Sequence, residues 1–174
     1  CSNAHFSKSI LLIARTDPAT NTWQFTVNDV GWKLAEINPL NDAATYSYDL
    51  NGNVVQTVDP LNRSFTRQFD ANGNLVAQSD GKGQFTRHTY DAANQRIGTT
   101  NRIGTNWVFT FTTRGKPEQT IAPLVGSTTN IYDAANRLIA VSDPLGNTVT
   151  NQYDANGNSS GLIDVLGQRW SKTF

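Results

Sequence analysis

Few side chains in this 174-residue sequence are suited to chemistry, and their spacing limits what each could do. His5 and His88 are the two imidazoles, and neither sits in a Ser/His/Asp or Cys/His order that suggests an activated nucleophile. His88 lies two residues before Tyr90 on an alternating stretch, which predicts a packed or partly buried histidine. Asp-x-Asn-Gly-Asn recurs at Asp49, Asp70 and Asp154 and superficially has the look of a calcium loop. An EF-hand needs Asp-x-Asn-x-Asn-Gly with a closing Glu, and glutamate occurs here only at Glu36 and Glu118. The pattern therefore predicts a tight turn and no metal site. Gly81-Lys82-Gly83 lacks the third glycine and the strand–helix setting of a phosphate loop. No catalytic, cofactor-binding or metal-ligating residue is predicted.

Two features remain open at this level. Cys1-Ser2-Asn3 resembles the mature end of a bacterial lipoprotein, which would make Cys1 a lipidation site. Ser2-Asn3-Ala4 also resembles a protease-cleavage remnant, but such a remnant begins at the Ser, so the preceding Cys favours the lipoprotein; residues 1–5 are set apart as a leader. Trp23, Trp32, Trp107 and Trp170 could stack sugar rings if exposed, although aromatic residues that follow a repeat are expected to pack against one another.

Composition narrows the class further. The chain has 14 basic and 14 acidic side chains, so its neutrality argues against a nucleic-acid binder. Its longest uncharged apolar run, residues 10–14, is far too short for a transmembrane helix. One cysteine cannot form an internal disulfide. The 19 Asn and 21 Thr favour turns and strands over helices.

The elements that must position these residues follow from a repeat. Aromatic residues stand at Tyr48, Phe69, Tyr90, Phe111, Tyr132 and Tyr153, each 21 residues from the next. The same ruler reaches Val27 and Phe6 in one direction and Phe174 in the other, so eight units tile residues 6–173 without insertion or deletion. Four places after the aromatic position come Gly31, Gly52, Gly73, Asn94, Gly115, Asn136 and Gly157, residues that tolerate positive φ. Eleven places after it comes a second turn, as at Asn38-Pro39, Asp59-Pro60, Asp80-Gly81 and Asp143-Pro144. Stretches such as Trp107-Val-Phe109-Thr-Phe111 alternate large and polar side chains, the mark of a half-buried strand. The other strand carries adjacent apolar pairs, such as Val54-Val55 and Leu138-Ile139, which fit either burial on both faces or a bulge.

Each unit thus reads as one β-hairpin. A lone hairpin is marginal in water, so the hairpins must stack side by side. Stacking would bury Phe6, Tyr48, Phe69, Tyr90, Phe111, Tyr132, Tyr153 and Phe174 as an aromatic ladder. The predicted fold is all-β: tandem 21-residue hairpins in an antiparallel sheet that accumulates twist into a spiralling ribbon or shell.

The phrase Tyr-Asp-x-x-Gly-Asn-Leu … Asp-Pro-Leu-Gly-Asn-x-Thr, clearest over residues 132–153, resembles the tyrosine–aspartate (YD) repeats of the rearrangement-hotspot (Rhs) family. That resemblance implies a large secreted or surface-attached chain whose repeats spiral into a β-sheet shell. In bacterial toxins of this kind the shell encloses a toxic C-terminal domain, and in related animal adhesion proteins it serves cell–cell recognition. Autoproteolytic members end the shell in Asp-Pro-x-Gly-x-x-Asp-Gly. Asp143-Pro144-Leu145-Gly146-Asn147-Thr148-Val149 lacks the second half, so no cleavage residues carry over. Asn101-Arg102 and Ala122-Pro123 replace Asp-Pro, and a changed second turn is expected at both.

These readings predict a non-enzymatic extracellular structural protein without cofactors. Its strand edges at residues 6–13 and 168–174 would pair with other copies to build a filament, tube or shell wall. The alternatives are a fragment of a toxin shell, with an enclosed toxin polypeptide as partner, and a surface module that binds a glycan or receptor.

Overall fold

The computed structural model describes residues 11–171, so Cys1, His5, Phe6 and Phe174 lie outside the described residues. Two compact units divide between Thr86 and Arg87. The first contains β1 (Leu11–Thr16), β2 (Thr22–Val27), β3 (Lys33–Ile37), β4 (Ala43–Tyr48), β5 (Val54–Val58), β6 (Ser64–Phe69) and β7 (Leu75–Ser79). β8 (Phe85–Tyr90) begins at the boundary. The second continues through β9 (Arg96–Thr100), β10 (Asn106–Phe111), β11 (Pro117–Ala122), β12 (Gly126–Tyr132), β13 (Leu138–Ser142), β14 (Thr148–Tyr153), β15 (Ser159–Ile163) and β16 (Arg169–Ser171). Within each unit, strand order is chain order. The fold is all-β, an antiparallel array of tandem hairpins, as the 21-residue period requires.

The adjacent apolar pairs are explained by a recurring β-bulge. Tyr48 faces Val54 while Ser47 faces Gln56, which leaves Val55 as the extra residue. The same step recurs where Val27 faces Lys33, Phe69 faces Leu75, Tyr90 faces Arg96, Phe111 faces Pro117, Tyr132 faces Leu138 and Tyr153 faces Ser159. Hairpins closed at the second turn, such as β5–β6 and β13–β14, keep an unbroken register. One residue is thus added per repeat at a fixed place.

Among the described residues, Ala77 at 4 % and Ala140 at 8 % exposure are the only buried hydrophobic side chains. No large side chain is fully buried among them. A thick core is therefore not what holds each unit together. Cross-strand pairs do, each contributing about 0.2–1 kcal/mol. On the face bearing Ala77 and Ala140 these pairs are polar: Gln56 donates to Ser64 at 2.8 Å, Thr66 meets Ser79 at 2.9 Å and Ser142 meets Thr148 at 2.8 Å. Gly98 and Gly161 occupy the same place in their repeats as Ala77. A Cβ on Gly161 would stand 2.7 Å from the Trp170 carbonyl oxygen, so residue 161 itself has no room for a side chain.

Candidate functional site

The acidic turns are the most regular polar sites in the molecule. In Asp49–Asn53 the Asp49 amide donates to the Asn53 carbonyl at 3.0 Å, and Gly52 donates back to the Asp49 carbonyl at 3.2 Å. Oδ1 of Asp49 accepts the amides of Asn51 and Asn53, both at 2.9 Å, while Oδ2 accepts Asn53 Nδ2 at 2.9 Å. Gly52 has φ +86° and Asn51 stays out of the positive-φ region. This is the three-residue loop ending in a left-handed residue, not a two-residue turn with both centres left-handed.

Asp17, Asp70, Asp143 and Asp154 have the same partners at the same offsets. At Asp59 and Asp133 an arginine closes the clamp instead, Arg63 at 2.6 Å and Arg137 at 2.7 Å. Both carboxylate oxygens are therefore occupied by the turn itself. The Asn53 side chain chiefly, then the turn amides, hold Asp49 below the usual carboxylate range. Asp143 is lowered in the same way, chiefly through Asn147. Among the described residues no group of three or more metal-ligating side chains is assembled.

The second turn uses the same clamp. Asn101 accepts from the amides of Ile103 and Thr105 at 3.0 and 2.9 Å, and Gly104 has φ +82°. The change of shape expected at Asn101-Arg102 does not occur, because an amide oxygen accepts the two N–H groups as a carboxylate does. It does occur at Ala122-Pro123. Ala122 offers no side-chain acceptor, Val125 reaches the Ala122 carbonyl at 3.3 Å, and positive φ moves to Leu124 (+65°) and Gly126 (+105°). Pro at the second place and positive φ at the third are the marks of a type II turn.

The ladder residues Tyr48, Phe69, Tyr90, Phe111, Tyr132 and Tyr153 each end a strand and are half-buried. The tyrosines also bind. Tyr48 Oη donates to the Lys33 carbonyl at 2.8 Å, Tyr132 to Pro117 at 2.9 Å and Tyr153 to Leu138 at 3.0 Å. Each acceptor belongs to the bulged strand of the preceding repeat. Asn130 and Asn151, two places before their tyrosines, donate to the same Pro117 and Leu138 carbonyls at 3.1 and 3.0 Å. Sequence reasoning missed these asparagines, although their fixed offset from Tyr132 and Tyr153 is the signal that could have found them.

His88 Nδ1 lies 3.0 Å from Thr99 Oγ1 on the facing strand. Burial, then the nearby Arg96 charge, lowers its pKa, so the imidazole is neutral at neutral pH. Trp23, Trp32 and Trp107 are half-buried, whereas Trp170 is 61 % exposed and donates Nε1 to Asp164 at 3.4 Å. Trp32 replaces the closing Asn of its turn and packs 5.1 Å from Tyr48, lining an open hollow of about 440 Å³ with Asn28, Leu34 and Tyr46. Its ring lies against Gly52, where a Cβ would come within 2.9 Å. Trp32 thus supports the next repeat's turn.

A hairpin array with self-satisfied turns and tyrosine staples defines a structural repeat protein. Residues 69–119 and 132–169, just over half of the chain, match the RHS Repeat family model, and the chain belongs to that family. Solved structures share the fold at low identity. A Photorhabdus luminescens Tc holotoxin pore matches with TM-score 0.62 and 16 % identity over 94 % of this chain and 10 % of its own. A TcdB2-TccC3-TEV crystal structure matches with TM-score 0.59 and 15 % identity over 91 % of this chain and 10 % of its own. A TcdB2-TccC3 crystal structure gives 0.57 and 16 % over 96 % and 11 %. The chain thus spans about a tenth of the length of these neighbours. The search of curated proteins by sequence gives no match. Among the described residues no helix is long and apolar enough to cross a membrane.

Proposed function

We propose that this chain is a length of shell wall: a non-enzymatic strip of Rhs hairpins in a secreted or surface-attached protein, enclosing another polypeptide. The observation that carries the reading is regularity. Clamped turns recur through both units with their carboxylates taken up by amides and side chains of the same turn, so the strip is built for continuity. Functional loops are usually additions to a scaffold, and the period here admits none. One solved neighbour that shares the fold is named as a Tc holotoxin pore. The test is protease protection of the native secreted protein. A polypeptide that resists digestion until denaturant opens the wall is expected, and one cleaved as fast as a free peptide overturns the reading.

A second reading is strand-edge pairing between copies, giving a filament or tube. Leu11 and Leu12 at 60 % and Ile13 at 44 % exposure in β1, with Trp170 in β16, favour it because these terminal strands present apolar side chains to solvent. Light scattering checks it: a monomer at high concentration sinks the idea.

A further inference from the structure

Three of the 19 asparagines are followed by glycine: Asn51-Gly52, Asn72-Gly73 and Asn156-Gly157. All three hold the same place, just before the left-handed glycine of a first turn, and all three are exposed. Asn-Gly is the pair in which an asparagine side chain reacts most readily with the main chain, because glycine leaves the next amide nitrogen unshielded. That nitrogen is engaged here. Gly52, Gly73 and Gly157 each donate it to the carbonyl of the aspartate that opens the turn, at 3.2, 3.1 and 3.0 Å. The aspartate carboxylate holds the amides on either side of the glycine. Asp49 takes those of Asn51 and Asn53 at 2.9 Å, Asp70 those of Asn72 and Asn74 at 3.0 and 2.8 Å, and Asp154 those of Asn156 and Asn158 at 2.9 and 2.8 Å. The turns at Asp91 and Asp133 supply a contrast. There Ala93 and Ala135 stand before the left-handed place, which Asn94 and Asn136 fill, and the following residues are Gln95 and Arg137.

We infer that Asn51, Asn72 and Asn156 are the sites at which this strip is spontaneously modified, each converting to aspartate and isoaspartate at a rate set by the opening of its clamped turn. In the reaction the Gly52 nitrogen attacks Cγ of Asn51. The new C–N bond closes a five-membered imide while the Cγ–Nδ2 bond breaks, and ammonia leaves with the proton of the Gly52 amide. Water, the one co-reactant, then opens the imide at either carbonyl. One opening gives aspartate, and the other gives isoaspartate, whose main chain runs through Cγ. The attack requires the Gly52 nitrogen to give up its proton and its bond to the Asp49 carbonyl. The closed turn therefore withholds the nucleophile, and conversion proceeds through local opening of the hairpin. Isoaspartate adds a methylene to a loop of fixed length, which shifts the Asn53 amide out of reach of the Asp49 clamp. The inference concerns the durability of the strip and stands whatever the wall encloses.

The test is prolonged incubation of the full chain in mildly alkaline buffer, followed by peptide mapping. Mass spectrometry reads the change from amide to acid at each asparagine, and fragmentation across the main chain tells isoaspartate from aspartate. The same chain in urea gives the rates without turns. The expected result is conversion at Asn51, Asn72 and Asn156 ahead of Asn94, Asn136 and the other described asparagines, and at least about tenfold slower than in urea. Asp70→Ala should speed conversion at Asn72 about fivefold, as loss of a side-chain cap loosens the turn behind it, and leave Asn156 unchanged. Asp70→Asn, which keeps an acceptor as Asn101 does, should restore the slow rate. Far-UV circular dichroism checks that the variants stay folded, and Asp154→Ala, read at Asn156, serves if Asp70→Ala does not. Native rates equal to those in urea, another asparagine that reacts first, or a folded Asp→Ala variant whose own turn converts no faster overturns the inference.

Discussion

The turns at Ala122–Gly126 and Asp143–Asn147 occupy the same place in adjacent repeats and have different shapes. Asp143 offers two oxygens, collects the amides of Leu145 and Asn147 at 2.9 Å, and leaves the left-handed residue to Gly146 at φ +83°. Ala122 offers none, and a leucine is left at φ +65°. The Asn101 turn separates the acceptor from charge and proline. It lacks both Asp and Pro, whereas the Ala122 turn keeps Pro123, yet it keeps the clamp: Asn101 still accepts both amides and Gly104 takes the positive φ. The clamp goes with an acceptor at the first place and a residue other than Val125 at the fourth; negative charge and proline are not required. Where the acceptor is missing, positive φ falls on a residue that a left-handed backbone costs about 1–2 kcal/mol.

The largest expected effect is a contrast in sign. Gly146→Ala places a Cβ in a left-handed residue with nothing within 4 Å, so it should cost about 1–2 kcal/mol from backbone alone. Gly52→Ala should cost more, because its Cβ also meets the Trp32 ring. Leu124→Gly should instead stabilise, by up to about 1 kcal/mol, after the added freedom of the unfolded glycine is discounted. Hydrogen exchange of the flanking strand amides measures all three locally. Equal losses at 124 and 146 would remove the distinction between the turns.

Next in size is Asn101→Ala, expected to cost about 0.5–2 kcal/mol, as loss of a side-chain cap does elsewhere. It should also make the turn resemble that at Ala122. The reverse change, Ala122→Asn with Val125→Gly, should move positive φ from Leu124 to residue 125 and gain about 1 kcal/mol. Scalar couplings that leave Leu124 left-handed in the double variant would show that something other than the missing acceptor holds that turn.

Much of this was legible in the sequence because a period repeats its message. Hairpins, aromatic places and the glycines at 52, 73 and 157 are each visible in several copies, and their meaning is local. The bulge was half-legible: Val54-Val55 and Leu138-Ile139 announce it, but only the register assigns Val55 and Ile139 as extra residues. The Ala122 turn is irregular as its lost Asp predicts, whereas the Asn101 turn keeps its shape without Asp-Pro because Asn101 still supplies an acceptor. The tyrosine staples were out of reach of pattern reading. Lys33 and Pro117 accept through their carbonyls, and a backbone acceptor leaves no trace in residue identity. Leu40, Leu61, Ile103, Leu124, Leu145 and Leu166 at the second-turn tips are periodic too, yet composition treats such residues as core, so their 71–106 % exposure becomes visible only with the fold.

The smallest effect separates charge from acceptor within the clamp. Asp17, Asp49, Asp59, Asp70, Asp133, Asp143, Asp154 and Asp164 all have pKa values lowered by the bonds their turns donate. Their folded values lie below the unfolded value of about 3.9. The contribution is therefore fully present above that pH and is lost as pH falls through the lowered folded values. Each carboxylate is solvent-facing, so screening keeps each share small, and the sum over eight turns is what acid should reveal as a melting temperature that drops below about pH 4. The turn at Asn101 is the internal control, because its acceptor has no proton to gain. Amide shifts of Leu145 and Asn147 should titrate in this window while those of Ile103 and Thr105 stay flat. If both pairs move together, acid is loosening the strip as a whole and the clamps are not the acid-sensitive element. If neither moves, the carboxylate's charge adds nothing beyond its capacity to accept, and aspartate and asparagine are interchangeable at this place.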